Sequence, residues 1–302
     1  MNRATVIDAD LDRPQWVKSI PFLAVHLVAL ATPFLVPPTW RLLGLSLAVY
    51  SACMFGITAG FHRYFSHRAF RTGRAFQLVL ALLGTLSVQK GVLWWAGHHR
   101  DHHRYSDGDR DPHSPVKRGF WWSHVGWILA ARHDRTRPER VKDLARFPEL
   151  VFLDRFGVIV PVAFGTTLAL VGGLPALLWG FFVPVVLAWH VTFSINSVAH
   201  VLGSRRYATA DESRNNAVLA ILTFGEGWHN NHHFYASTAN QGWFWWEVDL
   251  TYGMLRLLSL VGLVSDLRTP PAHVRAGRPG VTPPRLEEDG AATRQVGVEH
   301  AL

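Results

Sequence analysis

Long runs without a single charge constrain this chain more than any other feature. Ser19 to Trp40 is 22 residues with no Asp, Glu, Lys or Arg, and Leu42 to Phe61 is another 20. Phe156 to Ser204 is 49 uncharged residues, interrupted by "GGLP" at Gly172–Pro175. A helix of about 20 apolar residues crosses a bilayer, and core helices of soluble domains rarely run so far uncharged. The first two runs are read as one span each, and the third as two spans hinged where Gly and Pro break the helix. Ala75 to Gln89, with 15 uncharged residues, is short for a span and reads as re-entrant or interfacial. Across 302 residues, 49% are hydrophobic and 17% charged, which is oily for a soluble domain.

Charge sets the orientation. Lys and Arg number 3 before the first run, 1 between the first two, 17 from Arg63 to Arg155, and 9 after Ser204. Because cytoplasmic loops collect positive charge, the N-terminus, the middle loop and the C-terminal region belong on one, cytoplasmic, side. The expected fold is an all-α membrane protein: four transmembrane helices with a cytoplasmic helical cap. Residues 1–18 form a cytoplasmic N-terminal segment, 19–268 the four-span domain with its cap, and 269–302 a Pro- and Gly-rich tail expected to be disordered. The net charge of +8 faces anionic headgroups. A nucleic-acid partner is excluded, since no binding fold accompanies the charge. Asp8, Asp10 and Asp12 precede an apolar run longer than a signal-peptide core, so no signal peptide is expected. The single cysteine, Cys53, excludes an intramolecular disulfide and reads as packing. With 26 Arg to 4 Lys, a GC-rich bacterial genome and an inner membrane are expected.

Of 17 histidines, nine fall into four clusters, all on the side assigned to the cytoplasm. His62 and His67 follow the second run; His99, His102 and His103 stand in the middle loop; His200 ends the last run, near Asn196; His229, His232 and His233 close "GEGWHNNHH". In H-x-x-H-H on a helix, positions i, i+3 and i+4 share a face, so three imidazoles point into one space. H-x-x-x-x-H is about 140° apart on an α-helix, which suits ligands for different metals or a distorted helix end. Neutral imidazole favours iron, zinc and copper. Nine ligands exceed the needs of one ion and suit two. His26, His124, His133, His273 and His300 read as structural or surface histidines, and His190 as packed or hydrogen-bonded inside its span. His98 and His113 stand beside the clusters, as ligands, supporting groups or neither.

At this point the chain resembles the membrane-bound fatty acyl desaturases of the stearoyl-CoA (acyl-CoA Δ9) type. The segments that carry the resemblance are "GITAGFHRYFSH" (56–67), "HRDHHRYSD" (99–107), "DPHSPVKRGFWWSHVGWIL" (111–129), "NSVAH" (196–200) and "GEGWHNNHH" (225–233). The resemblance implies two iron ions held by His62, His67, His99, His102, His103, His200, His229, His232 and His233, with Asn196 holding a water. It also implies an oxidoreductase that uses O2 and two electrons to remove hydrogen from neighbouring carbons of a saturated C16–C18 acyl chain. The products are a cis double bond, expected at Δ9, and water. Such chemistry is beyond any amino-acid side chain, and the protein's share is to aim the chain.

Gln89, Trp95 and Thr192 match positions that bend the family's substrate tunnel. Tyr50 and Met54, two or three turns before His62, are candidates for its closed end. The aromatic groups "LWW" (93–95) and "FWW" (120–122) surround the site, whereas "WFWW" (243–246) reads as an interfacial belt. One departure concerns the substrate's carrier. Animal members place a basic pair after "SHVGW", and here those positions are Ala131 and Arg132. Acyl-CoA remains the first expectation, with acyl-lipid or acyl-carrier-protein substrates as the alternative. A separate electron donor of ferredoxin, cytochrome b5 or flavin reductase type is expected on the basic cytoplasmic face. A histidine-box lipid hydroxylase and a metal transporter are the rival readings; a transporter would place ligands near the bilayer midplane.

Overall fold

The uncharged runs become helices in the computed structural model, which describes residues 11–277. Helix α1 covers Trp16–Leu35 and α2 covers Trp40–Phe55. Thr39 caps α2 by accepting from the Leu42 amide, and α2 runs on without a break as a π-helix over Gly56–Ser66. Helices α3 (Arg74–Leu86) and α4 (Val92–Tyr105) pack against that π-helix, and α5 (Pro148–Phe156) packs behind them. Next come α6 (Ile159–Leu177), a π-turn at Leu178–Phe182, and α7 (Val183–Ser197), which ends in a tight turn at Val198–His200. Short helices α8 (Ala217–Leu222) and α9 (His229–Phe234) and the longer α10 (Leu250–Leu260) follow. Strands β1 (Arg71–Thr72) and β2 (Val264–Ser265) pair antiparallel beside them.

Among the described residues, three continuous helical stretches are long and apolar enough to cross a membrane: Trp16–Leu35, Trp40–Ser66 and Ile159–His200. Four were expected, and the third of these stretches is 42 residues long. Gly173 sits at φ 64° and ψ −162°, outside any helix. A Cβ added to Gly165 would lie 3.5 Å from the Leu177 side chain. In a straight helix those residues stand about 18 Å apart, so the stretch folds back on itself at the expected Gly–Pro hinge. Phe34, Leu170 and Val171 lie almost fully exposed, as a lipid-facing surface requires. The run Ala75–Gln89 is too short to cross, because α3 has 13 residues.

The core that positions the site lies where the π-helix meets α3 and α4. Ile57, Phe61, Phe65, Leu80, Ala81 and Val92 are buried there, each large side chain contributing about 1.5–3 kcal/mol. The crossing is at backbone contact: a Cβ on Gly56 would sit 2.3 Å from the Leu83 carbonyl carbon, and one on Gly84 would strike the Phe61 ring. Cys53 is buried beside Val49 and Met54, in a packing role. Of the segment expected to be disordered, residues 272–275 form a short helix, with Val274 buried against Tyr207 and Trp243. Residues 278–302 of that segment, and residues 1–10 of the N-terminal one, lie outside the described residues.

Candidate metal centre

The nine clustered histidines meet in one place, in two groups. Ring nitrogens of His62, His67, His99, His103 and His232 lie within 4.8 Å of one another, as do those of His102, His200, His229 and His233. Local helix geometry sorts them. His62 and His67 share a face because the π-helix bonds i to i+5: the His67 amide donates to the His62 carbonyl at 3.2 Å. On α4, His99 and His103 point to the first group and His102 to the second. On α9, His232 points to the first group, and His229 and His233 to the second. The two H-x-x-H-H boxes thus interlock, each giving two ligands to one group and one to the other.

The distances suit ions. Nε2 of His62 lies 3.0 Å from that of His232, His67 2.8 Å from His99, and His103 2.9 Å from His232. In the second group, His200 and His229 are 3.1 Å apart and His102 and His233 3.3 Å. Neighbouring ligands at about 2.1 Å from one ion and at right angles are separated by about 3.0 Å. Carboxylates fix the tautomers. His102 Nδ1 donates to Asp111 at 3.0 Å, His200 Nδ1 to Asp107 at 2.9 Å, His233 Nδ1 to Asp211 at 2.7 Å, and His62 Nδ1 to Glu226 at 2.5 Å. A carboxylate only accepts, so each of these rings turns an Nε2 lone pair inward. The lone pairs of His102 and His233 therefore face each other, an arrangement that calls for a cation between them. Residues present fit a pair of metal ions.

Electrostatics agree. Burial, then repulsion from neighbouring histidines, holds His99, His103, His229 and His232 well below the ordinary imidazole pKa, so they are neutral and able to ligate. Burial also works against a charged His102, but Asp111, with Asp107 and Asp211 beyond it, outweighs burial and raises its pKa. Asp107 is lowered to about 2: burial opposes the shift, and the His200, Ser114 and Glu212 hydrogen bonds overcome it.

Beside the centre lies a cavity of about 220 Å³. His99 and Asn196 line it, together with three of the expected tunnel residues, Gln89, Trp95 and Thr192. Gln89 Nε2 donates to Thr192 Oγ1 at 3.1 Å, and the Trp95 ring stacks on His99 at 4.9 Å. Tyr50 and Met54 lie elsewhere. Tyr50 Oη donates to the Leu222 carbonyl at 2.6 Å, and Met54 is fully buried in a small apolar cluster. His113 stacks on His102 at 4.2 Å and lines the cavity, as does His98, whose Nδ1 donates to the Trp94 carbonyl. His190 bridges His26 and His124 at 3.0 and 3.1 Å, a hydrogen-bonded chain away from the centre.

The groups that support the ligands were not among the expected site residues. Asp107, Asp111 and Glu226 stand inside or at the edge of the quoted motifs, where an acid next to a metal-binding histidine is itself a signal. Asp211 has no such signal. Nor has the buried Arg63, whose Nε donates to Glu226 Oε1 at 3.0 Å and whose Nη1 donates to Asp249 Oδ1 at 3.0 Å and the Ala239 carbonyl at 2.6 Å.

Known proteins match this sequence over most of its length. The profile of the fatty acid desaturase family matches residues 38–257, a range that includes all nine histidines. The chain is 40% identical over 269 residues to an sn-1 stearoyl-lipid 9-desaturase of Synechocystis sp., covering 88% of this chain and 84% of the relative. It is 40% identical over 260 residues to an sn-1 stearoyl-lipid 9-desaturase of Anabaena variabilis, covering 85% and 95%. An sn-2 palmitoyl-lipid 9-desaturase of Nostoc sp. is 38% identical over 265 residues, covering 85% and 91%. Histidine groups that fit metal, helices that fit a membrane and relatives matched along nearly their whole length agree: the chain is an oxidoreductase belonging to the fatty acid desaturase family.

Proposed function

We propose that this protein is an O2-dependent acyl-lipid 9-desaturase, which introduces a cis double bond into a saturated C16–C18 chain while that chain is esterified to a membrane lipid. The observation that carries the reading is the convergence of nine inward-facing imidazoles beside an apolar cavity lined by Gln89, Trp95 and Thr192. His62, His67, His99, His103 and His232 would hold one iron, and His102, His200, His229 and His233 the other, with Asn196 adding a water-mediated contact. Iron supplies the reactivity toward O2 and an unactivated C–H bond that side chains lack. The protein's own part is positional. Glu226, Asp107, Asp111 and Asp211 hold the imidazole tautomers, Gln89 and Thr192 shape the wall past which the chain bends, and the stacked Trp95 and His99 close the apolar side.

The lipid carrier is favoured over acyl-CoA by the names of the three relatives given above and by the fate of Arg132. Its Nε donates to Asp12 Oδ1 at 2.6 Å, so the one basic residue left of the animal pair is engaged by the N-terminal segment. The folded-back third stretch supplies two crossings, for four in all, with the histidine centre, the cap and both termini on the cytoplasmic side of an inner membrane. A separate electron donor docks on the basic cap. The test is expression in a host lacking unsaturated fatty acids, followed by gas chromatography of its lipids after a pulse of labelled saturated diacyl lipid or labelled acyl-CoA. A 9-monoene that appears in the intact lipid without passing through the CoA pool supports the reading. A hydroxylated product, or a monoene formed first on CoA, overturns it.

A further inference from the structure

The cavity that reaches His99 and Asn196 has Phe22, Val88, Trp189 and Phe193 in its wall and is charged at its mouth. The fixed charges lining it are Lys18, Lys90 and Asp134. Lys18 Nζ lies 2.9 Å from Asp134 Oδ2 and Lys90 Nζ lies 2.6 Å from Oδ1, so one carboxylate bridges two ammonium groups and one positive charge is left over. Both lysines reach solvent, at 66% and 42% exposure. Lys18 is the last charge before the 22-residue uncharged run, which places it at headgroup level where α1 enters the bilayer.

The mouth is a built feature. Val88 (φ 57°) and Lys90 (φ 67°) both stand in the left-handed region, a conformation that costs a β-branched residue about 1–3 kcal/mol. That turn sends Gln89 inward to Thr192, while Lys90 lies 5.6 Å above the Trp94 ring. On the other side, the Gln15 amide donates to the Leu129 carbonyl at 2.9 Å, and Asp12 pairs with both Arg118 and Arg132, which straps the start of α1 to the cap. An apolar slot with a cationic rim at the membrane surface is the shape of an amphiphile whose head carries negative charge.

We propose that Lys18 and Lys90 form a headgroup subsite for the phosphodiester of a glycerophospholipid, so that the preferred substrate is an anionic phospholipid whose acyl chain enters toward His99. This names the substrate class within the acyl-lipid reading and rests on it. Asp134 fills the place between the two ammonium groups that the phosphate takes, and so competes with it. Removing the lysines and removing the carboxylate therefore act in opposite directions, which damage to the fold would not do.

Binding by the purified full-length protein in detergent tests this without turnover. The probes are radiolabelled distearoyl phosphatidylglycerol and distearoyl monogalactosylglycerol, which is uncharged. Lys18→Gln with Lys90→Gln is expected to weaken phosphatidylglycerol binding by about tenfold or more, the worth of one charge-assisted hydrogen bond, and to leave the galactolipid unchanged. Asp134→Asn is expected to strengthen phosphatidylglycerol binding, and added salt to weaken it. Equal effects on both lipids, no effect of the lysine changes, or weakened binding in Asp134→Asn overturns the proposal and leaves the acyl-lipid reading intact. Displacement of the lipid by millimolar inorganic phosphate makes the site one for free phosphate and also overturns it. Failure of both lipids to bind where stearoyl-CoA does overturns the acyl-lipid reading itself.

Discussion

The two histidine groups draw on the same helices yet are supported differently. The group of His62, His67, His99, His103 and His232 has five imidazoles and one carboxylate, Glu226, behind His62. The group of His102, His200, His229 and His233 has one imidazole fewer and three carboxylates, Asp111, Asp107 and Asp211. Even the single carboxylate of the first group is shared, since Arg63 and Gln241 also bond to Glu226. An ion in the second group is thus matched by nearby negative charge, whereas an ion in the first is held mainly by the number of neutral nitrogens. Two ways of binding a cation stand side by side: many neutral donors, or fewer donors made more basic from behind.

The largest expected effect comes from removing an imidazole. His229→Ala takes one of four ligands from the group with fewer donors, and product should fall below detection, with about half of the bound iron lost from the purified protein. His67→Ala takes one of five and should abolish product while losing less iron. Equal iron loss from the two variants would erase the distinction between the groups, and retained activity in His229→Ala would contradict the ligand assignment. One step down are the carboxylates. Such supporting partners are worth about 10–100-fold in metal affinity or activity. Glu226→Gln should fall near the top of that range, because the first group has no second carboxylate and Arg63 loses a counter-charge with it. Asp111→Asn should fall near the bottom, with Asp107 and Asp211 still present. Iron titration of both variants checks the order, and the reverse order would show that charge count does not govern the difference.

Arg63 tests the same contrast through stability. Its side chain is 1% exposed and spans Glu226 and Asp249, so Arg63→Met strands two buried carboxylates. Breaking a buried pair in this way costs about 3–5 kcal/mol. A large drop in Tm of the metal-free protein is expected; a drop no larger than that of Asp143→Asn, at a partly exposed pairing with Arg68 and Arg100, would count against it.

Legibility followed the physics of each signal. The uncharged runs, the Gly–Pro hinge and the clustering of nine histidines need only composition and periodicity, and the structure has a helix or a reversal at each. The pairing of His62 with His67 was half legible. Ideal α-geometry separates them by about 140°, and only the π-helix, a tertiary accommodation to the backbone contacts at Gly56 and Gly84, brings them together. Asp211, Arg63 and Asp249 were not legible, because nothing local marks a charge that works by reaching across the fold to a distant helix. Residues 272–275 show the opposite failure: a Pro- and Gly-rich composition reads as disorder, but the buried Val274 and a hydrogen bond from Tyr207 Oη to the Arg275 carbonyl seat a helical turn.

The smallest expected effect lies in the cavity wall, at a pair that contributes no ligand to either group. Thr192→Val keeps the volume and removes the oxygen that accepts from Gln89 Nε2 at 3.1 Å. A hydrogen bond of this kind is worth about 0.5–1.5 kcal/mol, so turnover should change by no more than about tenfold and iron content should stay at the wild-type level. What should change is aim. Gln89 is held between Val88 and Lys90, both in the left-handed region, so freeing its side chain leaves the backbone turn in place and loosens only the wall beside the chain. The distribution of double-bond positions in the product should broaden around the wild-type site. Because Thr192 belongs to neither histidine group, this variant separates holding the metal from placing the substrate: lost iron would tie the wall to the centre, and an unchanged product distribution would show that the pair has no part in aiming the chain.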